Sequence, residues 1–405
     1  MLDYYQALDN LIDQLPHTDI TQIPIEKAHG LLLAQDIYVQ HNTPLFDNSA
    51  MDGYAICGEE NKNWQIIDRI AAGDSAQKIE LKNGQAVRIF TGAPLPKGAT
   101  AVLAQEDTHQ EETQLFCQTP TIKAGQNIRY CAEELSKGSV LLEAGQALVP
   151  AAIALAASQG YATLPIYSPL RITVFSSGNE LLNPTQALSD GKIYDANRYL
   201  VLAWLQQLGF QVADGGILPD NQQSIALALK NASQNADVII TSGGVSVGEE
   251  DHLKAALLSI GELTLWKLAI KPGKPFAWGN IEQTKVFMLP GNPVATFVTF
   301  HQLVLPALRK ISGYNRQQAY PQAIQAKALF DVQKTQNRRV FLRGILSIQN
   351  NEFCVEALPN QGSAMLSACV KANVLIDVPP EQLVKSGDTL TVYPLTDEVS
   401  SRWKQ

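Results

Sequence analysis

Apolar residues recur at helical spacing at the start of the chain. Tyr4, Leu8, Leu11, Ile12 and Leu15 fall on one helical face, and Pro16 ends the run. A second helical piece is expected over residues 26–33. From Asn42 to about Lys137 the pattern changes. Short apolar runs, such as residues 64–67 and 86–90, alternate with turn signals at Gly73-Asp74, Asn83-Gly84, 94–98 and Ala124-Gly125. That spacing predicts a small β-rich domain. Pro150 then opens a helix that Gly160 closes. Its apolar face is expected to pack on the N-terminal helices, making the β-rich segment an insertion into a split helical domain.

From residue 171 apolar runs alternate with helical segments. Strand 171–175 leads to a helix over 197–208, closed by Gly209. Strand 211–218 leads to a helix capped by Ser224, and strand 237–241 to a helix beginning near Glu250. Apolar runs at 263–270 and 286–289 follow, and then a long helix from Pro293 to about Ser312. Buried strands alternating with helices predict a three-layer α/β domain with a mostly parallel sheet. In such sheets ligands sit beyond the carboxyl ends of the strands. From about Ala319 the pattern is β again, with runs at 340–346, 353–357, 374–378 and 389–393. The expected domains are therefore 1–40 with 140–168 (split helical), 41–139 (inserted β-rich), 169–318 (α/β) and 319–405 (C-terminal β).

A chain of 405 residues is too long for one core, so several domains are required. Its net charge of −8 excludes a general nucleic-acid binder, which needs a basic face. The five cysteines include no CxxC pair, so neither a disulfide framework nor a thiolate zinc site is expected. No signal peptide is visible, and the alanine-rich run 151–157 is too short to span a bilayer. A cytoplasmic protein that engages neither nucleic acid nor membrane is the expectation.

The chemistry concentrates at three strand ends. Thr241, Ser242, Gly243, Gly244 and Ser246 lie in the loop TSGGVSVGEED. Glycines let an anion approach their amides, a following helix start adds N–H donors, and the hydroxyls add more. A tight ligand-free turn is the alternative. No Gly-Lys-Ser/Thr follows, so this is not a P-loop. Ser177, Gly178 and Glu180 form a similar loop after strand 171–175. Glu180, Asp220 and Asp251 close three strand ends and together could ligate Mg²⁺; each alone is equally a first-turn or capping residue. If 267–271 is one strand, Lys267 and Lys271 share a face, and Lys274 adds a third cation at a Pro-Gly turn, as a polyanion would need. Pro290, Asn292 and Pro293 fit a helix start, with Asn292 as cap. Asp52 and Thr91 sit in turns of the inserted domain, where structural roles are commoner.

The strings SAMDGYA, TGAPLPKGA, SSGNEL, TSGGVSVGEEDH, KLAIKPGKPFAWG, PGNPVA and QGSAMLS, in this order, closely resemble the molybdopterin molybdenumtransferases, gephyrin-type E-domains included. The resemblance covers essentially the whole chain. It implies a split helical domain, an inserted β-rich domain, an α/β molybdopterin-binding domain and a C-terminal β-barrel-like domain. It implies insertion of molybdenum from molybdate into adenylylated molybdopterin with release of AMP, the last common step of molybdenum cofactor biosynthesis, with Mg²⁺ involved. It also implies a homodimer in which Asp52 and Thr91 close the partner subunit's site. A molybdopterin adenylyltransferase is a further partner to consider. Glu180, Asp220, Asp251, Lys267 and Lys271 match family acids and cations at the site, and Ser363 matches the serine of the C-terminal motif.

One stretch departs from the family pattern. Asn127-Ile-Arg129-Tyr-Cys131-Ala132-Glu133-Glu134 carries Glu134 for the usual aspartate and Ala132 for a glycine. Two rival readings differ in class. An adenylyltransferase would continue its glycine loop as Gly-Thr-Gly, where Val245-Ser246-Val247-Gly248 stands here. A non-catalytic peptide-binding scaffold would have no need of the acids and lysines retained here.

Overall fold

The computed structural model describes residues 1–75, 78–118, 121–244 and 252–395. The chain divides into two compact units, Gln22–Ile166 and the remainder, Met1–Thr21 with Tyr167–Gln405. The expected class is found: a multidomain chain with a mostly parallel α/β layer structure, an inserted β-rich sheet and a closed barrel near the C-terminus.

In the larger unit, six strands lie in the order Gln211–Leu218, Arg171–Ser177, Val238–Ser242, Thr284–Leu289, Pro275–Ile281, Glu262–Lys267. The first four are parallel; Pro275–Ile281 runs antiparallel to both its neighbours, so Glu262–Lys267 has the direction of the first four. Side chains alternate between two cores, as a period of two demands. Val238 and Ile240 face one core with Phe287 and Leu289; Ile239 faces the other with Val286 and Met288. The helices Asn197–Gln207 and Pro293–Thr299 fill the first core. Gln222–Ser233 and His252–Ile260 fill the second. Gln222–Ser233 is capped by the side chain of Asn221, which accepts from the Ser224 backbone N–H, rather than by Ser224 itself.

The long helix expected from Pro293 runs to Ile311, interrupted by one π turn over Phe300–Val304. Pro306 has no N–H to give to the carbonyl four residues earlier, and the wider turn relieves that clash. Five strands, Arg339–Gln349, Glu352–Ala357, Ile324–Ala328, Thr389–Pro394 and Val374–Val378, close on themselves as a barrel, and closure leaves no free edge among them. Among the described residues no helix is long and apolar enough to cross a membrane.

Two local expectations are corrected. The N-terminal helix Tyr4–Asp13 buries Tyr4, Leu8 and Leu11 in the larger unit's main core, and Tyr4 packs edge-on against Phe341. The helix Pro150–Ser158 buries Ala152 and Ala156 with Ala28 and Leu33 of the second expected N-terminal piece, and with Leu148 and Leu164, in a core apart from that of Tyr4–Asp13. Periodicity identified each buried face but carried no information about its partner. Residues 26–33 form one 3₁₀ turn, Ile25–Lys27, followed by bridges at Leu32 and Leu33. Three or four residues between turn signals are too few to repay helix nucleation.

Within the smaller unit a six-stranded sheet spans the inserted segment. Ala132 there has φ +63°, so an L side chain occupies the left-handed backbone that glycine favours. Its N–H donates to the Pro44 carbonyl, and the Glu134 N–H donates to that of Thr43. These tertiary hydrogen bonds offset a local backbone cost of roughly 1 kcal/mol.

Candidate active site

The carboxyl ends of the parallel strands open on a cavity of about 900 Å³ in the larger unit. Its floor comes from Ser177, Gly178, Ser242, Gly243 and Gly244. Gly243 has φ +97°, and a Cβ there would lie 2.4 Å from the Ser177 carbonyl oxygen. Only glycine lets the two strand ends approach so closely, which leaves their backbone accessible to a ligand. Thr241 belongs to the same strand end, but it is fully buried and is not part of the cavity wall.

Glu180 and Asp220 both line the cavity, as does Asn179, whose side-chain amide donates to Asp220 at 3.1 Å. Asp251 and Ser246 lie outside the described residues. Among the described residues no three His, Cys, Asp or Glu side chains are grouped to hold a metal ion. Two carboxylates beside a polyanion site nonetheless fit Mg²⁺, which usually takes one or two carboxylates and completes its shell with phosphate oxygens and water.

The cationic wall differs from expectation. Lys267 ends an edge strand of the α/β sheet and is exposed outside the cavity. Lys271 belongs to a separate two-residue strand, Ile270–Lys271, that pairs with the barrel strand at Val340. Between them Leu268 N–H bonds the Lys274 carbonyl and Ala269 N–H bonds that of Leu2, so the chain changes sheets. The same-face argument needs one continuous strand and therefore fails. Lys271 and Lys274 do line the cavity, and Arg338 joins them. The Lys271 ammonium donates to Gln336 Oε1 at 3.0 Å.

Pro290, Asn292 and Pro293 form another edge. Asn292 caps the helix through Val294 N–H and also donates to Ser363 Oγ at 3.2 Å. Ser363 is thereby held at the cavity from the loop after the barrel strand Glu352–Ala357. That loop is anchored by Arg343, which is 1% exposed and donates to the carbonyls of Asn360 and Gly362, both at 3.1 Å. Burial, with no carboxylate partner among the described residues, pushes the Arg343 guanidinium below its usual range.

Arg338, Arg343 and the segment 195–198 also serve the site, beyond the residues expected from sequence. The string Asp195-Ala-Asn197-Arg198 was the available signal. Polar residues opening a helix with an otherwise apolar inner face are candidates for contacts beyond that helix. Arg198 is buried against Asp195 at 2.9 Å, against Asp214 and against Asn183 at 2.6 Å. It braces the corner where Asp195 and Asn197 meet the cavity.

In the smaller unit Asp52 and Thr91 form a bonded pair. Asp52 Oδ1 accepts from the Thr91 backbone N–H and from its hydroxyl, each at 2.7 Å. These bonds, the backbone one first, hold the Asp52 carboxyl below its ordinary range. The depressed value means that the bonded carboxylate stabilises the fold above the ordinary carboxylate pKa. That contribution is lost as pH falls through the depressed value. Thr91→Val keeps the backbone donor and removes the hydroxyl. Asp52 should then titrate higher, nearer an ordinary carboxylate, in a carbon-detected NMR titration; an unmoved titration would show that the hydroxyl contributes nothing.

Strand ends rich in glycine and serine, the acids Glu180, Asp195 and Asp220, and the cations Lys271, Lys274 and Arg338 line one cavity, a set of groups suited to an oxyanionic small molecule. Residues 2–160 match the MoeA N-terminal region (domain I and II), 173–310 a probable molybdopterin binding domain, and 325–395 the MoeA C-terminal region (domain IV). The chain is 40% identical over 402 residues to the molybdopterin molybdenumtransferase of Haemophilus influenzae, covering 97% of this chain and 98% of that one. It is 33% identical over 409 residues to the molybdopterin molybdenumtransferase of Nostoc sp., covering 97% and 93%. A crystal structure of the molybdopterin biosynthesis MoeA protein from Pyrococcus horikoshii superposes with a TM-score of 0.79 at 26% identity, covering 97% of this chain and all of that one. The chain belongs to the molybdopterin molybdenumtransferase family.

Proposed function

We propose that this chain transfers molybdenum from molybdate into adenylylated molybdopterin and releases AMP, acting in the last common step of molybdenum cofactor biosynthesis. The observation that carries the reading is the joining of glycine-rich strand ends, the carboxylates Glu180 and Asp220, and Lys271, Lys274 and Arg338 around one cavity of about 900 Å³. A pterin–adenylate beside molybdate is a large ligand with several negative charges, and this cavity has both the volume and the cations for it.

The cations and the Gly244 amide hold phosphate and molybdate oxygens, the Gly243 N–H being donated to the Leu289 carbonyl. Ser177, Ser242 and Ser363 add hydroxyl donors, and Ser246 belongs with them by its place in the loop. Glu180 and Asp220, with Asp251, would hold Mg²⁺, which when bound supplies charge neutralisation at the phosphoanhydride. As AMP leaves, negative charge builds on its phosphate, and fixed ammonium and guanidinium groups stabilise that charge without reorganising. No covalent enzyme intermediate is needed. Asp52 and Thr91 act from a second copy of the chain in a homodimer, with their mutual bond keeping the carboxylate ionised. The reaction belongs in the cytoplasm, downstream of a molybdopterin adenylyltransferase that supplies the substrate.

The test is to incubate the protein with adenylylated molybdopterin, Mg²⁺ and molybdate and to follow AMP. Molybdate-dependent release supports the reading. Absence of release, or consumption of ATP with molybdopterin alone, overturns it.

A further inference from the structure

Asn197 opens the helix Asn197–Gln207, yet it does not cap it; the position before it, Ala196, has helical backbone angles and no capping side chain. Instead, the Asn197 amide reaches across the cavity floor. Its Nδ2 donates to the Gly291 carbonyl at 2.7 Å and to Ser242 Oγ at 2.8 Å. A carbonyl can only accept, so the contact with Gly291 fixes which end of the amide is the nitrogen. Ser242 Oγ is therefore an acceptor in this bond. Its own proton has no protein acceptor among the described residues, and Ser242 lines the cavity. Meanwhile Asn197 Oδ1 is buried and has no partner among the described residues. An orphaned buried carbonyl is costly, and an apolar residue there would avoid it. What the amide provides in return is its pair of N–H donors.

We infer that Asn197 is a positioning residue: it occupies the lone pair of Ser242 and so turns the Ser242 hydroxyl proton toward the bound anion. The inference rests on the anion reading of the cavity. It adds that Ser242 is a fixed donor to a phosphate or molybdate oxygen, not a free rotor. A serine free to rotate spends part of its time presenting lone pairs to the anion, which repel it; the Asn197 donor removes those orientations.

The experiment is a double-mutant cycle with Asn197→Ala, Ser242→Ala and the pair, read as kcat and KM for molybdate-dependent AMP release, with thermal unfolding as a check on folding. Each single variant is expected to raise KM about tenfold, the scale of one hydrogen bond to a charged group. The double variant should be no worse than Ser242→Ala alone. Asn197→Asp, nearly the same size, should bind less well than Asn197→Ala, because a carboxylate accepts the hydroxyl proton and repels the anion. Should Asn197→Ala cost as much in the Ser242→Ala background as in the native chain, Asn197 only props the Gly291 turn and the inference falls. A native chain with no molybdate-dependent AMP release would instead overturn the functional reading beneath it.

Discussion

Lys271→Ala lowers kcat/KM for molybdate-dependent AMP release by about 10²–10³-fold, the range seen when one preorganised charge stabiliser is removed. Lys271 lines the cavity, and the side-chain partner found for it is the neutral amide of Gln336. Among the described residues no carboxylate pairs with it, so its charge remains available to a ligand. The residue is exposed on a two-residue strand, so its loss should leave the melting temperature nearly unchanged. Loss of activity with retained stability is the informative combination. An activity within threefold of the native chain would remove Lys271 from the site. Lys267→Ala is the natural comparison, since that lysine lies outside the cavity and should have the smaller effect.

The contrast between these two lysines shows how far sequence patterns reach. The glycine and serine loops were legible because their position follows from topology alone: in a parallel sheet every strand end falls on one side. Ser177, Gly178, Glu180, Asp220 and Gly243 accordingly meet at one cavity. The lysine pair was misread because parity along a strand holds only while the strand continues, and hydrogen bonds from Leu268 and Ala269 to Lys274 and Leu2 interrupt it. Neither bond has a local sequence signature. Arg338 and Ser363 reach the site from the C-terminal region, and pairing of Ile270–Lys271 with Arg339 and Val340 sets Arg338 beside Lys271 there. The family motif pointed to Ser363 but was silent on the buried Arg343 that anchors its loop.

The same barrel explains the largest expected loss of stability. Asp377→Ala should cost about 3–5 kcal/mol, seen as a lower denaturant midpoint at unchanged m-value. Asp377 is 2% exposed, and Arg339 Nη1 reaches both of its oxygens at 2.6 Å. Tyr5 and Tyr393 hydroxyls complete the carboxylate's surroundings at 3.3 and 3.4 Å. The guanidinium lies over the Tyr5 ring, 4.6 Å from its centroid, so the pair also ties the N-terminal helix to the barrel. Removing the carboxylate leaves a buried cation whose Nε already lacks a partner among the described residues. The cost therefore comes from stranding Arg339, not from losing one contact. It follows that removing both charges is the milder change. Arg339→Met combined with Asp377→Leu should recover most of the lost stability, because two apolar side chains of similar volume carry no desolvation penalty. A double variant as unstable as Asp377→Ala would show instead that the pair itself, and not the stranded charge, holds the N-terminal helix on the barrel.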